Sequence, residues 1–150
     1  MLLEVELVGA AFELCDVGRG LLVGGDRLRD LLDEVPVVVL DRPTAAMLRD
    51  LDINPRDTEA ALEICGLHSG TPDTEASVEF PALTSNIHLF REGILSLAGG
   101  WEKRPDFDED DDTGPGGEDA VYEEIMVTLL HEMGHQFGLS EDDLRDLGYD

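Results

Sequence analysis

The sequence predicts a protein that mixes α-helices with a few short strands, on three observations. The β-branched run Val37-Val38-Val39-Leu40 lies between Pro36 and an Asp41-Arg42-Pro43 stop, the signature of a short buried strand. In SNIHLFR (85–91), Ile87 and Leu89 alternate with Asn86, His88 and Phe90, the period of a half-buried strand. From Glu118 to about Phe137 the period lengthens: Val121, Tyr122, Ile125, Met126, Leu129, Leu130 and Met133 cover a wide arc of one long, largely buried helix. With 150 residues, 42% of them hydrophobic, the chain has the length and apolar content of one domain over residues 1–150 with its own core.

The remaining elements follow in order. Residues 4–15 fit a short amphipathic helix and Asp26–Glu34 a second, with Leu28, Leu31 and Leu32 at helical spacing. Thr44–Leu51 reads as a helix, Thr58–Cys65 as a further turn or two, and Leu67–Gly70 as a short strand before the turn-rich TPDTEAS. Residues 105–119 (PDFDEDDDTGPGGED) read as a mobile acidic insertion. Asp106, Asp108 and Asp110 alternate there as calcium ligands do. An EF-hand loop opening at Asp106 needs Gly where Asp111 stands and Glu where Gly117 stands, so a solvated loop is expected instead. Gly138 suits a helix C-cap, and Ser140 caps a last short helix ending near Gly148, with Asp143 at the capping-box position.

Charge narrows the function classes. With 35 acidic against 10 basic residues and a net charge of −25, the chain is repelled by phosphate backbones and anionic lipid, so neither nucleic acid nor membrane is an expected partner. Solubility accounts for the excess more simply than a basic substrate does. The two cysteines, Cys15 and Cys65, match no zinc-knuckle or redox spacing. Acids stand near the N-terminus where a signal peptide carries Lys or Arg, and no apolar run approaches the roughly 18 residues of a membrane span. A cytoplasmic protein with reduced thiols is expected.

The strongest chemical signal is His131-Glu132-Met133-Gly134-His135, an H-E-x-x-H sequence on the long helix. Residues four apart share a helix face, so both imidazoles can reach one ion. Glu132, rotated about 100° from His131, points to a water beside the metal rather than to the metal. Zinc lowers the pKa of such a water toward about 7, where a neighbouring carboxylate can take its proton. Two histidines satisfied by hydrogen bonds in a polar core are the plain structural alternative. Against it, two imidazoles and a carboxylate on a buried helix are costly to desolvate without a ligand to bind.

A catalytic zinc site uses three protein ligands. Glu141, six residues past His135, stands where H-E-x-x-H-x-x-G-x-x-H proteins place their third ligand, and Gly138 allows the turn that returns it to the metal. Asp142 is the reserve. Both acids also suit a helix N-terminus through its dipole. Glu124 shares the histidine stripe but lies two turns, about 10 Å, from His131, too far to ligate from the same helix. His88, on the polar face of its strand, reads first as an exposed strand histidine and second as a group near substrate, and His68 has no constellation around it.

Residues 123–149 (EEIMVTLLHEMGHQFGLSEDDLRDLGY), preceded by LTSNIHLFREGIL (83–95), resemble the minimal zincin-like metallopeptidase family of bacteria. VVVLDRP (37–43) resembles the family's first strand, and CGLHSGTP (65–72) a further segment of it. The resemblance implies an α+β fold, a small mixed sheet packed against helices, with the metal between the active-site helix and the acid-bearing turn that follows. It also implies zinc held by His131, His135 and an acid at or next to Glu141, with Glu132 as general base. The 105–119 insertion departs from the pattern just before the active helix, where it could shield the cleft, and no third histidine follows His135.

Two functions are therefore expected. The first is a zinc metallopeptidase, its peptide substrate lying along an exposed strand edge such as 85–91, with Tyr149 and His88 as candidate oxyanion donors. The second is a non-catalytic metal-binding or protein-interaction module that keeps the zinc for stability or recognition.

Overall fold

The computed structural model describes residues 35–70, 85–108 and 113–147. The helices expected at 4–15 and 26–34, the TPDTEAS turn and Tyr149 lie outside the described residues. The described elements are β1 (Val37–Leu40), α1 (Ala45–Asp50), α2 (Thr58–Leu62), β2 (Gly66–Ser69), β3 (Asn86–Phe90), α3 (Arg91–Ala98), α4 (Glu118–Gln136) and α5 (Glu141–Leu147). Three strands form one sheet in the order β1-β3-β2. β3 runs parallel to β1, with Val37 opposite Ile87, and antiparallel to β2, with Gly66 opposite Leu89. This is the small mixed sheet and long C-terminal helix of an α+β fold.

Local chemistry explains most boundaries. Thr44 opens α1 by accepting a hydrogen bond from the Met47 N–H, and Asp57 opens α2 the same way from the Ala60 N–H. α2 ends at Leu62 rather than at Cys65, because the chain turns into β2 at Gly66. β3 stops at Phe90, and Arg91 begins a helix that the alternation of 85–91 does not predict. That helix is marked at its end by Gly99, in the left-handed conformation that closes a C-terminus. Arg42 pairs with Glu92 at 2.6 Å and Arg91 with Asp41 at 2.9 Å, tying the exit of β1 to the start of α3.

The core lies between the sheet and the helices α3 and α4. Ile87 and Leu89 of β3 are fully buried against Val121, Ile125, Leu129 and Met133 of α4 and Ile94 and Ala98 of α3. Phe90, expected on the polar face, is also fully buried, and its ring lies nearly parallel to that of His88. The expectation of a half-buried, edge-exposed strand at 85–91 is thus corrected: β3 is the middle strand, paired on both sides. Middle strands with a parallel neighbour are covered on both faces and lose clean alternation.

The acidic insertion is anchored at its base. Gly114 N–H donates to the Leu97 carbonyl at 2.6 Å, Gly116 N–H to Ala98 at 2.8 Å, and Gly117 N–H to Gly100 at 3.0 Å. Its base meets α4 at Glu118, about 20 Å along the axis from His131. No helix among the described residues is long and apolar enough to cross a membrane.

Burial on the sheet's helix-facing side sets the stability. Leu89→Ala should cost about 2–5 kcal/mol by leaving a cavity, whereas Val38→Ala, at a position 38% exposed, should cost less than about 0.5 kcal/mol. Urea unfolding midpoints of the two variants measure the difference, and equal midpoints contradict the sheet's placement.

Candidate metal centre

α4 turns one face to the core and another to a cleft. Its C-terminal half carries buried polar groups, Thr128, Glu132 and Gln136, at four-residue spacing. They lie against β2, where the helix comes close to the strand backbone. A Cβ at Gly66 would stand 2.6 Å from Thr128 Cγ2 and 2.8 Å from Glu132 Cγ, closer than real contacts allow. Gly66 is therefore what admits Glu132 to the strand edge.

The bend after α4 brings the third acid back. Gly138, at φ 75°, closes the helix: the Leu139 N–H bonds the Gly134 carbonyl at 3.0 Å and the Gly138 N–H bonds that of His135 at 3.0 Å. Ser140 and Asp143 then form a reciprocal cap. The Asp143 N–H donates to Ser140 Oγ at 3.3 Å, and the Ser140 N–H donates to Asp143 Oδ2 at 2.9 Å. The Ser140 hydroxyl, donating to Asp143 Oδ2 at 2.7 Å, and then the Ser140 N–H hold the Asp143 carboxyl below its usual pKa. Leu144, 1% exposed, packs onto Gly134, where a Cβ would collide with it. The capped turn and this contact fix Glu141 opposite the histidines.

Ligand atoms of His131, His135 and Glu141 all lie within 4.8 Å of one another. The two Nε2 atoms are 3.1 Å apart, and the Glu141 oxygens stand 3.4 Å from His131 Nε2 and 3.0 Å from His135 Nε2. A tetrahedral zinc with bonds of about 2.0–2.1 Å separates its donors by about 3.3 Å, so the donor set fits the ion. His135 Nδ1 faces the Leu139 carbonyl at 3.2 Å. A carbonyl only accepts, so Nδ1 carries the proton and Nε2 keeps its lone pair for a metal. Asp142 is turned away, paired with Arg145 at 2.8 Å and with its side chain 90% exposed. Of the two candidate acids, Glu141 is the one beside the histidines.

Glu132 is 7% exposed, between the two histidines and β2. Burial raises its pKa, while His131, His135 and a hydrogen bond from the His68 backbone pull it back down, in that order. The β2–β3 register accounts for that last bond. Cys65 bonds Phe90 through its carbonyl, so in the alternating ladder Gly66 and His68 turn their backbone groups away from β3, to the edge that no other described strand covers. His68 also bonds Gln136 through Nε2, and its ring lines the cleft. Sequence reading gave His68 no role. Its only signal was Gly66 two residues earlier, and that close approach is visible only once α4 and β2 are docked.

The other expectations sort themselves by topology. His88 is half-buried rather than exposed, its Nδ1 is buried with no hydrogen-bond partner, and it does not line the cleft. Among the described residues, the unpaired strand edge near the histidines belongs to β2, not to 85–91. The cleft has a volume of about 560 Å³ and is also lined by Cys65, Thr128 and Glu124. Burial, then the charges of Glu124 and Glu132, pushes the Cys65 thiol up to about 12. It is a neutral wall of the cleft at physiological pH.

An α+β fold whose long helix presents H-E-x-x-H to an open cleft defines a zincin-type metalloprotein. The chain belongs to the zincin-like metallopeptidase family, whose model matches residues 32–110 and 111–149, the two stretches meeting inside the acidic insertion. Its function is of the metallopeptidase type. No curated protein matches the sequence.

Two outcomes follow for the centre. In calorimetric titration with zinc, Glu141→Ala should weaken binding at least about tenfold and Asp142→Ala should leave it unchanged; the reverse order contradicts the ligand set. In a Cys15→Ser background, Cys65 should react with a disulfide reagent at pH 8 far more slowly in the folded than in the urea-unfolded chain, because a raised pKa removes thiolate. Equal rates would place the thiol in solvent.

Proposed function

We propose that this protein is a zinc-dependent peptidase, with His131, His135 and Glu141 as the metal ligands and Glu132 as the general base. The observation that carries the reading is the meeting of three ligand atoms and a buried carboxylate in one open cleft. Bound there, zinc would supply positive charge to polarise a peptide carbonyl and to acidify water. Three protein donors also suit a catalytic rather than a closed structural site, which uses four.

The chain's own groups divide the remaining work. Glu132 accepts the proton of the attacking water and delivers it to the leaving amine. Burial brings its pKa toward the working range, and the His68 N–H orients the carboxylate. The outer edge of β2 offers the Gly66 backbone groups and the His68 carbonyl to an extended peptide, which adds as a further strand.

Glu132→Gln should retain stoichiometric zinc while peptide cleavage falls about 10²- to 10⁴-fold, followed by mass spectrometry of a peptide library. If the zinc-loaded wild-type chain cuts no peptide, the non-catalytic metal-binding module is the correct reading.

A further inference from the structure

The cleft extends past the histidines toward the N-terminal half of α4. Glu124 lines it two turns before His131, about 10 Å along the axis. Its carboxylate is half-buried and takes one hydrogen bond, from Thr128 Oγ1 at 3.4 Å to Oε1. Among the described residues no Lys or Arg lines the cleft, and none pairs with Glu124. Burial raises the pKa of Glu124, with the Thr128 hydroxyl opposing. A carboxylate short of water and without a countercharge is stabilised by any cation delivered to it.

The walls define the shape of that cation. Leu97 and Val127 line the same cleft, and Leu97 is 42% exposed, with its apolar surface open to the cleft. An apolar wall leading to a carboxylate complements a side chain with an aliphatic stem and a charged head. The distance agrees. Side chains stand roughly perpendicular to an extended backbone, so a lysine stem of about 6 Å set two residues along, about 7 Å, spans about 9 Å, close to the 10 Å or so from the histidines to Glu124.

We propose that the cleft selects peptides carrying a Lys or Arg within two residues of the bond to be cut, the cation resting on Glu124 and its stem on Leu97 and Val127. This assignment rests on the peptidase reading for its reaction, but its selectivity is a property of binding and is tested there.

The test uses the full chain, zinc-loaded, as Glu132→Gln so that peptides persist. Its probes are N-acetylated, C-amidated alanine-rich octapeptides bearing one Lys, one norleucine or one Glu at the same position, followed by fluorescence anisotropy. The Lys peptide should bind about tenfold tighter than the norleucine peptide, as expected for one charge-assisted contact. Adding Glu124→Gln should reduce that ratio to about threefold or less, and Glu124→Lys should reverse the preference toward the Glu peptide. A purely structural role for Glu124 would not produce the reversal. Glu59→Gln, an equal charge change at an exposed residue of α2 outside the cleft, should leave the ratio intact. A ratio near one, or one that falls equally with Glu59→Gln, overturns the proposal. A norleucine peptide with a free amino terminus separates the sources of the cation: if it alone gains affinity through Glu124, the side-chain assignment is overturned. Selective binding without cleavage by the wild-type chain sinks the peptidase reading and leaves the subsite. Cleavage without selectivity does the opposite.

Discussion

The contact on which the rest depends is the close approach of α4 to β2 at Gly66. It sets a carboxylate, Glu132, in a nearly dry position at the edge of a strand, beside two imidazoles. A buried carboxylate and two imidazoles are expensive to desolvate unless they are hydrogen-bonded or bound to something. Here the His68 N–H at Glu132 and the Leu139 carbonyl at His135 satisfy part of that demand. Beside that carboxylate, ligand atoms of His131, His135 and Glu141 gather within 4.8 Å of one another. The apolar core beneath, from Ile87 and Leu89 to Leu129 and Met133, holds these groups in place against their tendency to hydrate.

The parts of this arrangement that were legible in the sequence are local ones. Two histidines four apart on a helix share a face whatever surrounds them. The return of Glu141 follows from Gly138, Ser140 and Asp143, a left-handed stop and a cap written in consecutive residues. β1 and α1 were likewise bounded by Pro36, Pro43 and Thr44. The parts that were missed depend on contacts between distant segments. SNIHLFR alternates like an edge strand, yet it is the middle strand, because β1 and β2 take its two sides and bury Phe90 as well. Arg91–Ala98 stayed hidden because its helical period begins where a strand pattern ends, without a side-chain cap at Phe90. His68 reads as an isolated histidine until Gln136, sixty-eight positions away, is placed beside it.

This distinction also bears on the strand a substrate would use. An extended peptide needs unpaired backbone donors and acceptors, and a middle strand has none. Moving the binding edge from β3 to β2 places it beside Glu132, whose carboxylate already occupies the His68 N–H. On the proposed peptidase reading Glu132 would link two tasks, taking a proton and marking the inner limit of the strand edge. Shortening it by one methylene would disturb both, whereas removing its charge at constant shape disturbs chiefly the first.

The acidity of the chain takes on a more specific meaning in the same light. A net charge of −25 is spread mostly over solvent, where salt screens it within about 8–10 Å and it favours no single partner. A carboxylate in a cleft differs in kind. At Glu124 fewer water molecules compete, the walls are apolar, and the local effective dielectric is lower, so a single charge there discriminates more sharply than many on the surface. General acidity draws cationic peptides toward the molecule, but on the proposed reading only a half-buried carboxylate at a fixed distance from the two histidines would determine where along a peptide the cation must stand. Raising the ionic strength should therefore weaken overall attraction while sparing more of the positional preference.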